Sequence, residues 1–169
     1  MGESQREARN TGVDEAHLRL VLSSFATGVT VVTGRDGKLR PRAITVSAFT
    51  SVSINPPLIL YCLGKTAFSF DVFAKARAFA VNILAEEQEA LSDRFAREAV
   101  DDFPDLAFTE LATGSPILAG CLAALDCETE AVHEAGDHLI MVGRVRALDV
   151  PREALPLLYF RSRYCRLTP

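Results

Sequence analysis

Short runs of β-branched and apolar residues, separated by turn residues, dominate the chain from residue 29 onward. Such runs predict strands. They do not alternate regularly with helical segments, so the pattern disfavours a doubly wound parallel sheet. We therefore expect a mainly β fold, a closed or nearly closed antiparallel barrel with helices. The predicted strands cover residues 29–33, 42–47, 50–54, 58–62, 79–84, 122–134, 138–149, 156–160 and 164–167. The last two are expected to close the sheet.

Three segments carry helical patterns instead. Apolar residues between positions 18 and 25 recur at helical spacing, which predicts an amphipathic first helix. Asp14 is suited to be its N-cap and Gly28 to end it. Two further helices are expected over residues 68–75 and 86–95, the latter with an acidic first turn.

Two segments lack periodic patterns. Residues 1–11 are polar and charged, so we expect a mobile leader that carries no chemistry. Residues 99–113 are expected to form an irregular excursion over the surface. The remaining chain, residues 12–169, is expected to be a single domain, because 169 residues with 49% apolar content can build one substantial core.

The composition argues against several classes of protein. A net charge of −4 lacks the basic surplus of a nucleic-acid binder. The longest apolar run, residues 58–63, is too short to cross a bilayer, and the N-terminus resembles no secretory signal, so we predict a cytoplasmic protein with no membrane partner. The cysteines form no CxxC pair and are expected to be buried thiols; they are Cys62, Cys121, Cys127 and Cys165.

Familiar catalytic motifs are missing from the sequence. It contains no GxGxxG, GxSxG or P-loop, so a Rossmann site, a hydrolase triad and nucleotide hydrolysis lack support. Residues 133–138, HEAGDH, place two histidines and two carboxylates around a predicted turn. A metal would need both imidazoles on one face and a third ligand from elsewhere, so we expect none. Two interpretations stay open, a solvated hairpin tip and a cleft in which His138 binds a ligand.

Small hydroxyl residues recur through the otherwise apolar segment 43–57. They are compatible with ordinary half-exposed strands, and equally with a wall that a flat ligand approaches closely. The turn at residues 64–69, GKTAFS, opens a predicted helix and offers amides and a cation to a phosphate. The cations considered for phosphate binding are Lys65, Arg161, Arg163 and Arg166.

Six segments, taken together and in order, resemble the short-chain flavin reductases. The resemblance spans residues 18–167, nearly the whole chain. Each segment is weakly diagnostic alone, whereas six in the same order are specific. The segments are FATGVTVVT (25–33), TVSAFTSVS (45–53), NPPL (55–58), NIL (82–84), GDH (136–138) and LYFR (158–161).

This resemblance implies an FMN-binding split barrel, antiparallel and Greek-key-like, that forms a homodimer. It implies an enzyme that uses NADH or NADPH to reduce FMN or FAD and passes reduced flavin to a separate monooxygenase. It assigns His138 to the nicotinamide. It also places Thr45, Val46, Ser47 and Ala48 against the isoalloxazine ring, and it puts Thr50 and Ser51 in hydrogen bonds with the flavin. Lys65, Thr66 and Ser69 are assigned to the phosphate. Tyr159 and Arg161 are assigned to the nicotinamide side.

The implied chemistry agrees with the lack of a triad. Hydride transfer occurs between the two cofactors, so the protein has mainly to stack the rings and exclude other geometries. Two alternatives remain open. One is a flavin-binding electron carrier of the same fold without nicotinamide activity, and the other is an oxidase of the pyridoxine-phosphate type that uses FMN and oxygen.

Overall fold

A computed structural model describes residues 12–97, 102–149 and 153–167. Over these ranges the protein is mostly β and its strands pair antiparallel, which confirms the predicted fold class. The helices are α1 (Glu15–Leu22), α2 (Phe70–Phe73) and α3 (Glu89–Arg97), with a 3-10 turn (Glu86–Gln88) leading into α3. The strands are β1 (Thr27–Gly28), β2 (Thr30–Arg35), β3 (Pro41–Val46), β4 (Phe49–Ser53), β5 (Leu58–Gly64), β6 (Ala78–Ile83), β7 (Phe108–Glu110), β8 (Pro116–Leu118), β9 (Ala123–Ala135), β10 (His138–Asp149), β11 (Leu158–Phe160) and β12 (Arg163–Cys165).

The main sheet contains seven strands in the order β3-β2-β6-β9-β10-β5-β4. Its two edge strands, β3 and β4, follow one another in the chain with only Ser47 and Ala48 between them. The chain therefore passes directly from one edge of the sheet to the other, and the sheet curls into a barrel that is split between β3 and β4. A corner of two small residues thus lies at the split.

Both faces of the barrel wall are buried over much of its length. Inside, Tyr61 of β5 packs edge-on against Phe79 of β6, with 5.0 Å between ring centroids, in a cluster that includes Val32. Outside, Val31 belongs to a second cluster with Phe95 of α3. Because successive side chains of a strand point to opposite faces, these two clusters explain why β2 is apolar without alternation.

The longest pairing of the fold is the hairpin of β9 and β10. It confirms the two long strands predicted around residues 135–137, where Gly136 has a positive φ of 63°. The register shifts twice, and one shift lies at Val142 and Gly143. On the edge that faces away from β9, β10 pairs with β5, and His138 lies opposite Gly64.

The first helix is shorter than predicted. Asp14 is the N-cap and accepts a hydrogen bond from the backbone N–H of His17 at 2.9 Å, as expected. The helix ends at Leu22 rather than near Gly28, because Gly28 lies in β1 and pairs with Leu158. Although its sequence is amphipathic, none of its residues is buried in the single chain.

Three other expectations about elements were wrong in detail. The helix predicted over 68–75 covers only α2. Within the described part of the segment 99–113, Phe103 is fully buried and β7 pairs with β8, so it is not merely a surface excursion. The last two strands do not close the main sheet but form a separate sheet with β1. The predicted leader, residues 1–11, lies outside the described residues.

The cysteine prediction holds only in part, since Cys121 and Cys127 are buried whereas Cys62 and Cys165 are half-buried. Burial is the main cause that raises the pKa of the Cys127 thiol to about 12. No helix among the described residues is long and apolar enough to span a membrane. Within the same part of the chain, no group of three His, Cys, Asp or Glu residues is arranged to hold a metal ion.

Candidate functional site

A cavity of about 410 Å³ opens at the split of the barrel; we call it the cleft. Five parts of the chain supply its walls: the end of β3 with the corner that follows, the end of β5, the turn before α2, α3, and the start of β10. Its lining residues are Ile44, Thr45, Val46, Ser47, Ala48, Cys62, Gly64, Thr66, Ala67, Phe68, Ser69, Phe95, Ala96 and His138.

The predicted ring-binding wall is one side of this cleft. Thr45, Val46, Ser47 and Ala48 all line it. Thr45 is fixed by a hydrogen bond from its Oγ1 to the backbone carbonyl of Ser92 at 2.6 Å, and Val46 is buried in the barrel cluster. Ser47 and Ala48 are exposed, so the corner presents backbone and small side chains to any ligand in the cleft.

The turn between β5 and α2 forms the opposite end of the cleft. Thr66 and Ser69, the residues predicted to meet a phosphate, line it, and the Ser69 hydroxyl donates to the carbonyl of Ala43 at 3.5 Å. Lys65 does not line the cleft, and its ammonium group forms an ion pair with Glu134 at 3.1 Å. The residues that line the cleft include no lysine or arginine, so any phosphate there would meet hydroxyl groups and backbone rather than the expected cation.

His138 begins β10 and lies beside Gly64. Its Nδ1 is 2.8 Å from Oδ1 of Asp137, and this hydrogen bond is the main cause that holds the pKa of the Asp137 carboxyl below its ordinary value. A Cβ at Gly64 would lie 3.5 Å from Nε2 of His138, so the glycine leaves that nitrogen open space. Asp137 thereby engages Nδ1, and Nε2 is left beside Gly64, a lining residue of the cleft.

A second, wider cavity of about 800 Å³ adjoins the cleft; we call it the outer cavity. It shares Ser47, Ala48, Cys62 and His138 with the cleft. The predicted residues Thr50 and Tyr159 line it. The other lining residues are Arg19, Leu22, Phe25, Thr27, Phe49, Leu60 and Ser162.

Besides Lys65, two predicted site residues line neither cavity. Ser51 lies exposed on β4, opposite Ile59. Arg161 has a positive φ of 48°, and its guanidinium lies over the Phe160 ring at 5.3 Å from the centroid. Their assigned roles stay predictions, and the further cations Arg163 and Arg166 line neither cavity either.

With this geometry described, comparisons with known proteins identify the family. The model of the flavin reductase like domain matches residues 22–168. The chain belongs to this family. It is 41% identical to the reductase subunit of a flavin-dependent monooxygenase from Rhodococcus jostii, over 93% of this chain and 80% of that protein. It is 37% identical to a flavin reductase from Pseudomonas putida, over 94% and 93% of the two chains.

A solved structure extends the agreement of this flavin reductase-like chain to three dimensions. The NADH:FAD oxidoreductase of Streptomyces globisporus, solved with NAD and FAD fragments, superposes with a TM-score of 0.85 at 36% identity. The match covers 92% of this chain and 94% of that one. Together with the flavin reductases among the relatives, it confirms the resemblance and the split-barrel fold.

Sequence reasoning missed several cleft residues of this flavin reductase family member. Cys62 had a local signal, because Tyr61 and Leu63 point into the barrel and the residue between them must point out of it. Phe95 and Ala96 had none, since helical periodicity alone does not reveal which surface α3 covers. Phe68 stood in the recognised turn but was not assigned; it is exposed at the cleft rim.

Proposed function

We propose that this protein is an NAD(P)H:flavin oxidoreductase that transfers hydride from a reduced nicotinamide to FMN or FAD. The observation that carries the proposal is the meeting of two cavities at Ser47, Ala48 and His138. Two flat ligands, one in the cleft and one in the outer cavity, would be in contact at that junction. The names of the relatives, flavin reductases and an NADH:FAD oxidoreductase, support the same reaction.

The residues present fit a flavin in the cleft. The corner at Ser47 and Ala48 offers a wall of small groups for a planar ring, and the hydroxyls of Thr66 and Ser69 stand at the far end for a phosphate. When bound, flavin and nicotinamide supply the hydride chemistry themselves. The protein then has to hold the rings in contact and exclude water from between them.

On the nicotinamide side, His138 is the residue that we propose contacts the ring. Asp137 holds its Nδ1, which leaves Nε2 to contact a ligand at the junction of the two cavities. Tyr159 of β11 lines the outer cavity and flanks this position. We infer that these side chains orient the nicotinamide rather than exchange protons with it.

We also propose that the protein forms a homodimer through α1. The helix has eight residues, none of them buried, and an isolated helix of this length is unstable in water. Its apolar side chains, including Leu18, Val21 and Leu22, are exposed together with Phe25, whose exposed fraction is 77%. A second copy of the chain is the proposed cover for this apolar surface.

A separate monooxygenase is the proposed recipient of the reduced flavin. Support comes from relatives named as reductase subunits or components of monooxygenases. One is the reductase component of a trigonelline monooxygenase from Acinetobacter baylyi, which is 43% identical to this chain over 87% of this chain and 47% of that protein. The choice between FMN and FAD and between NADH and NADPH is left to experiment. A cytoplasmic location and a single domain over residues 12–169 stay predictions.

A direct assay tests the proposed reaction. The purified protein is mixed with NADH or NADPH and with FMN or FAD, in all four pairs, and nicotinamide absorbance is followed. We expect flavin-dependent oxidation with at least one pair. Absence of oxidation with every pair would overturn the proposal and favour the electron-carrier alternative. Oxygen uptake with FMN and pyridoxine 5′-phosphate as the electron donor, without nicotinamide, would instead favour an oxidase.

A substitution of His138 tests its assigned role. His138→Ala is expected to raise KM for the nicotinamide about tenfold, the effect of one lost hydrogen bond, while flavin affinity stays nearly unchanged. His133→Ala is the matched control, because His133 lies on the neighbouring strand opposite Ile140 and lines neither cavity. Equal loss of flavin binding and nicotinamide turnover would show that His138 is structural.

A further inference from the structure

The described residues that line the far end of the cleft, at the turn between β5 and α2, carry no positive charge. They are Thr66, Ala67, Phe68 and Ser69. The Ser69 hydroxyl is buried and already donates to the Ala43 carbonyl, whereas Thr66 is exposed. A phosphate at this end would therefore meet neutral donors, which bind an anion more weakly than a charged group does.

Lys65 is the lysine of this turn, and the β9–β10 hairpin holds it outside the lining of the cleft. Its backbone N–H donates to the Asp137 carbonyl, in the turn of that hairpin, at 2.9 Å. Its ammonium group lies 3.1 Å from Oε2 of Glu134, near the end of β9. The main chain of Lys65 is thus fixed by one bond to the hairpin, and its charge is engaged by another.

The ion pair of Lys65 with Glu134 is open to water, so a ligand can compete with it. The Glu134 side chain is 82% exposed and that of Lys65 is 35% exposed. An ion pair exposed in this way contributes little stability, and the flexible lysine side chain can turn towards Thr66 beside it. That movement replaces one exposed ion pair by another, so a phosphate gains little affinity from Lys65 while Glu134 is present.

We propose that Glu134 sets the flavin specificity of the cleft by competing with the flavin phosphate for Lys65. Affinity then comes from the ring and the ribityl chain, which riboflavin and FMN share, and riboflavin binds about as well as FMN. Glu134 is a positioning residue, since it acts through Lys65 and lines neither the cleft nor the outer cavity. The proposal rests on the proposed function, because that function places a flavin in the cleft.

Dissociation constants of FMN and riboflavin, measured by the quenching of flavin fluorescence, test the proposal. In wild type the two constants should agree within about twofold. Glu134→Gln removes the competing charge and keeps the shape of the side chain. FMN should then bind about fivefold more tightly, the most that an exposed ion pair withholds. The constant for riboflavin should stay unchanged, a difference that a merely structural effect of the substitution does not produce.

A second substitution shows whether the gain comes from Lys65. Adding Lys65→Met to Glu134→Gln should return the affinity for FMN to that for riboflavin, because the ammonium group that meets the phosphate is gone. Salt gives an independent readout. The affinity of Glu134→Gln for FMN should fall as the ionic strength rises, whereas that of wild type should hardly change. A gain for FMN that survives Lys65→Met would contradict the proposal.

Glu130→Gln is the matched control. Glu130 lies on the same strand as Glu134, forms an ion pair with Arg144 at 2.6 Å, and lines neither the cleft nor the outer cavity. Its substitution therefore removes the same charge from β9 without releasing Lys65, and it should change neither dissociation constant. An equal gain for FMN in both variants would show a general effect of net charge and contradict the role of Glu134.

The outcomes separate this proposal from the proposed function. It is overturned if wild type binds FMN about tenfold or more tightly than riboflavin, if Glu134→Gln brings no gain, or if the gain is equal for both flavins. In each of these cases the flavins still bind and the nicotinamide oxidation assay still succeeds. Absence of flavin binding by wild type, together with failure of that assay with every pair, would instead overturn the reductase function itself.

Discussion

Gly143 shows how tightly a single position of the barrel is packed. It lies in the middle of β10, and a Cβ built there would come within 2.5 Å of Cζ of Phe79, 3.1 Å of Cβ of Cys127 and 3.2 Å of Cδ1 of Ile59. All three neighbours are themselves buried in the barrel. The position therefore excludes every side chain for reasons of space.

We expect Gly143→Ala to lower the free energy of unfolding by about 1–3 kcal/mol, the usual cost of overpacking a core. Urea unfolding followed by circular dichroism measures the change. Gly37→Ala is the matched control, because a Cβ at Gly37 meets nothing within 4 Å and its φ is not positive. Equal stability of the two variants would show that the Phe79 ring moves aside at no cost.

At the scale of elements, Asn82 joins β6 to two other strands. Its side-chain amide donates to the Val31 carbonyl and to the Thr33 hydroxyl of β2, each at 3.0 Å. Its Oδ1 accepts from the backbone N–H of Leu118 in β8 at 2.8 Å. The side chain is fully buried, so water cannot replace these bonds.

Replacement of Asn82 by leucine should lower the free energy of unfolding by about 2–4 kcal/mol, because the buried Leu118 N–H and Val31 carbonyl lose their side-chain partner. Chemical denaturation provides the measurement. Ser51→Ala on exposed β4 is a suitable control and should change stability by less than about 0.5 kcal/mol. A stable Asn82→Leu variant would contradict the role of this side chain as a junction.

The turn between β2 and β3 is organised by Asp36. The pKa of Asp36 lies below its ordinary 3.8, although burial acts to raise it. The cause is a set of hydrogen bonds to the carboxylate, from the backbone N–H groups of Arg40 and Lys38 and from the side chains of Arg42 and Arg40. A carboxyl whose pKa is lower in the folded chain stabilises the fold above its ordinary pKa. That stabilisation is lost as the pH falls below 3.8 toward the folded value.

We therefore expect Asp36→Asn to reduce the melting temperature at pH 7 and to make its decline below pH 4 less steep than in wild type. Thermal unfolding between pH 7 and pH 2 tests this. If the melting temperatures of the two proteins changed with pH by the same amount across that range, the ionised Asp36 carboxylate would contribute nothing to the stability of the fold.

At the scale of the whole molecule, the exposed apolar face of α1 predicts the oligomeric state. Light scattering should give twice the 18.4 kDa mass of one chain. Val21→Asp, at a residue with an exposed fraction of 69%, should shift the mass toward the monomer, because a carboxylate is costly to bury in an apolar interface. Leu39→Asp is the control, since Leu39 is equally exposed but lies in the β2–β3 turn. A monomeric wild type, or a dimer indifferent to Val21→Asp, would contradict the proposed interface.

Sequence patterns predicted most elements of this molecule but not their partners. The turn at residues 135–137 was predicted correctly because its chemistry is local, with Gly136 at a positive φ. The end of the first helix was misplaced, because β11 recruits Gly28 into a sheet from far along the chain. Likewise, β12 reads as a strand locally, yet only packing decides that it pairs with β11 rather than with the barrel.

The sequence by itself determined the β class of the fold and the family, because alternation, turn chemistry and ordered motifs are properties of neighbouring residues. It also singled out Thr45 to Ala48, which line the cleft and whose contact with a flavin ring stays a prediction. Only the tertiary structure decided what surrounds these residues. It pairs Lys65 with Glu134, outside the lining of the cleft, and it lays α3 along the opening so that Phe95 and Ala96 line the cleft. Contacts between residues tens of positions apart depend on how the barrel closes, and no local pattern records that closure.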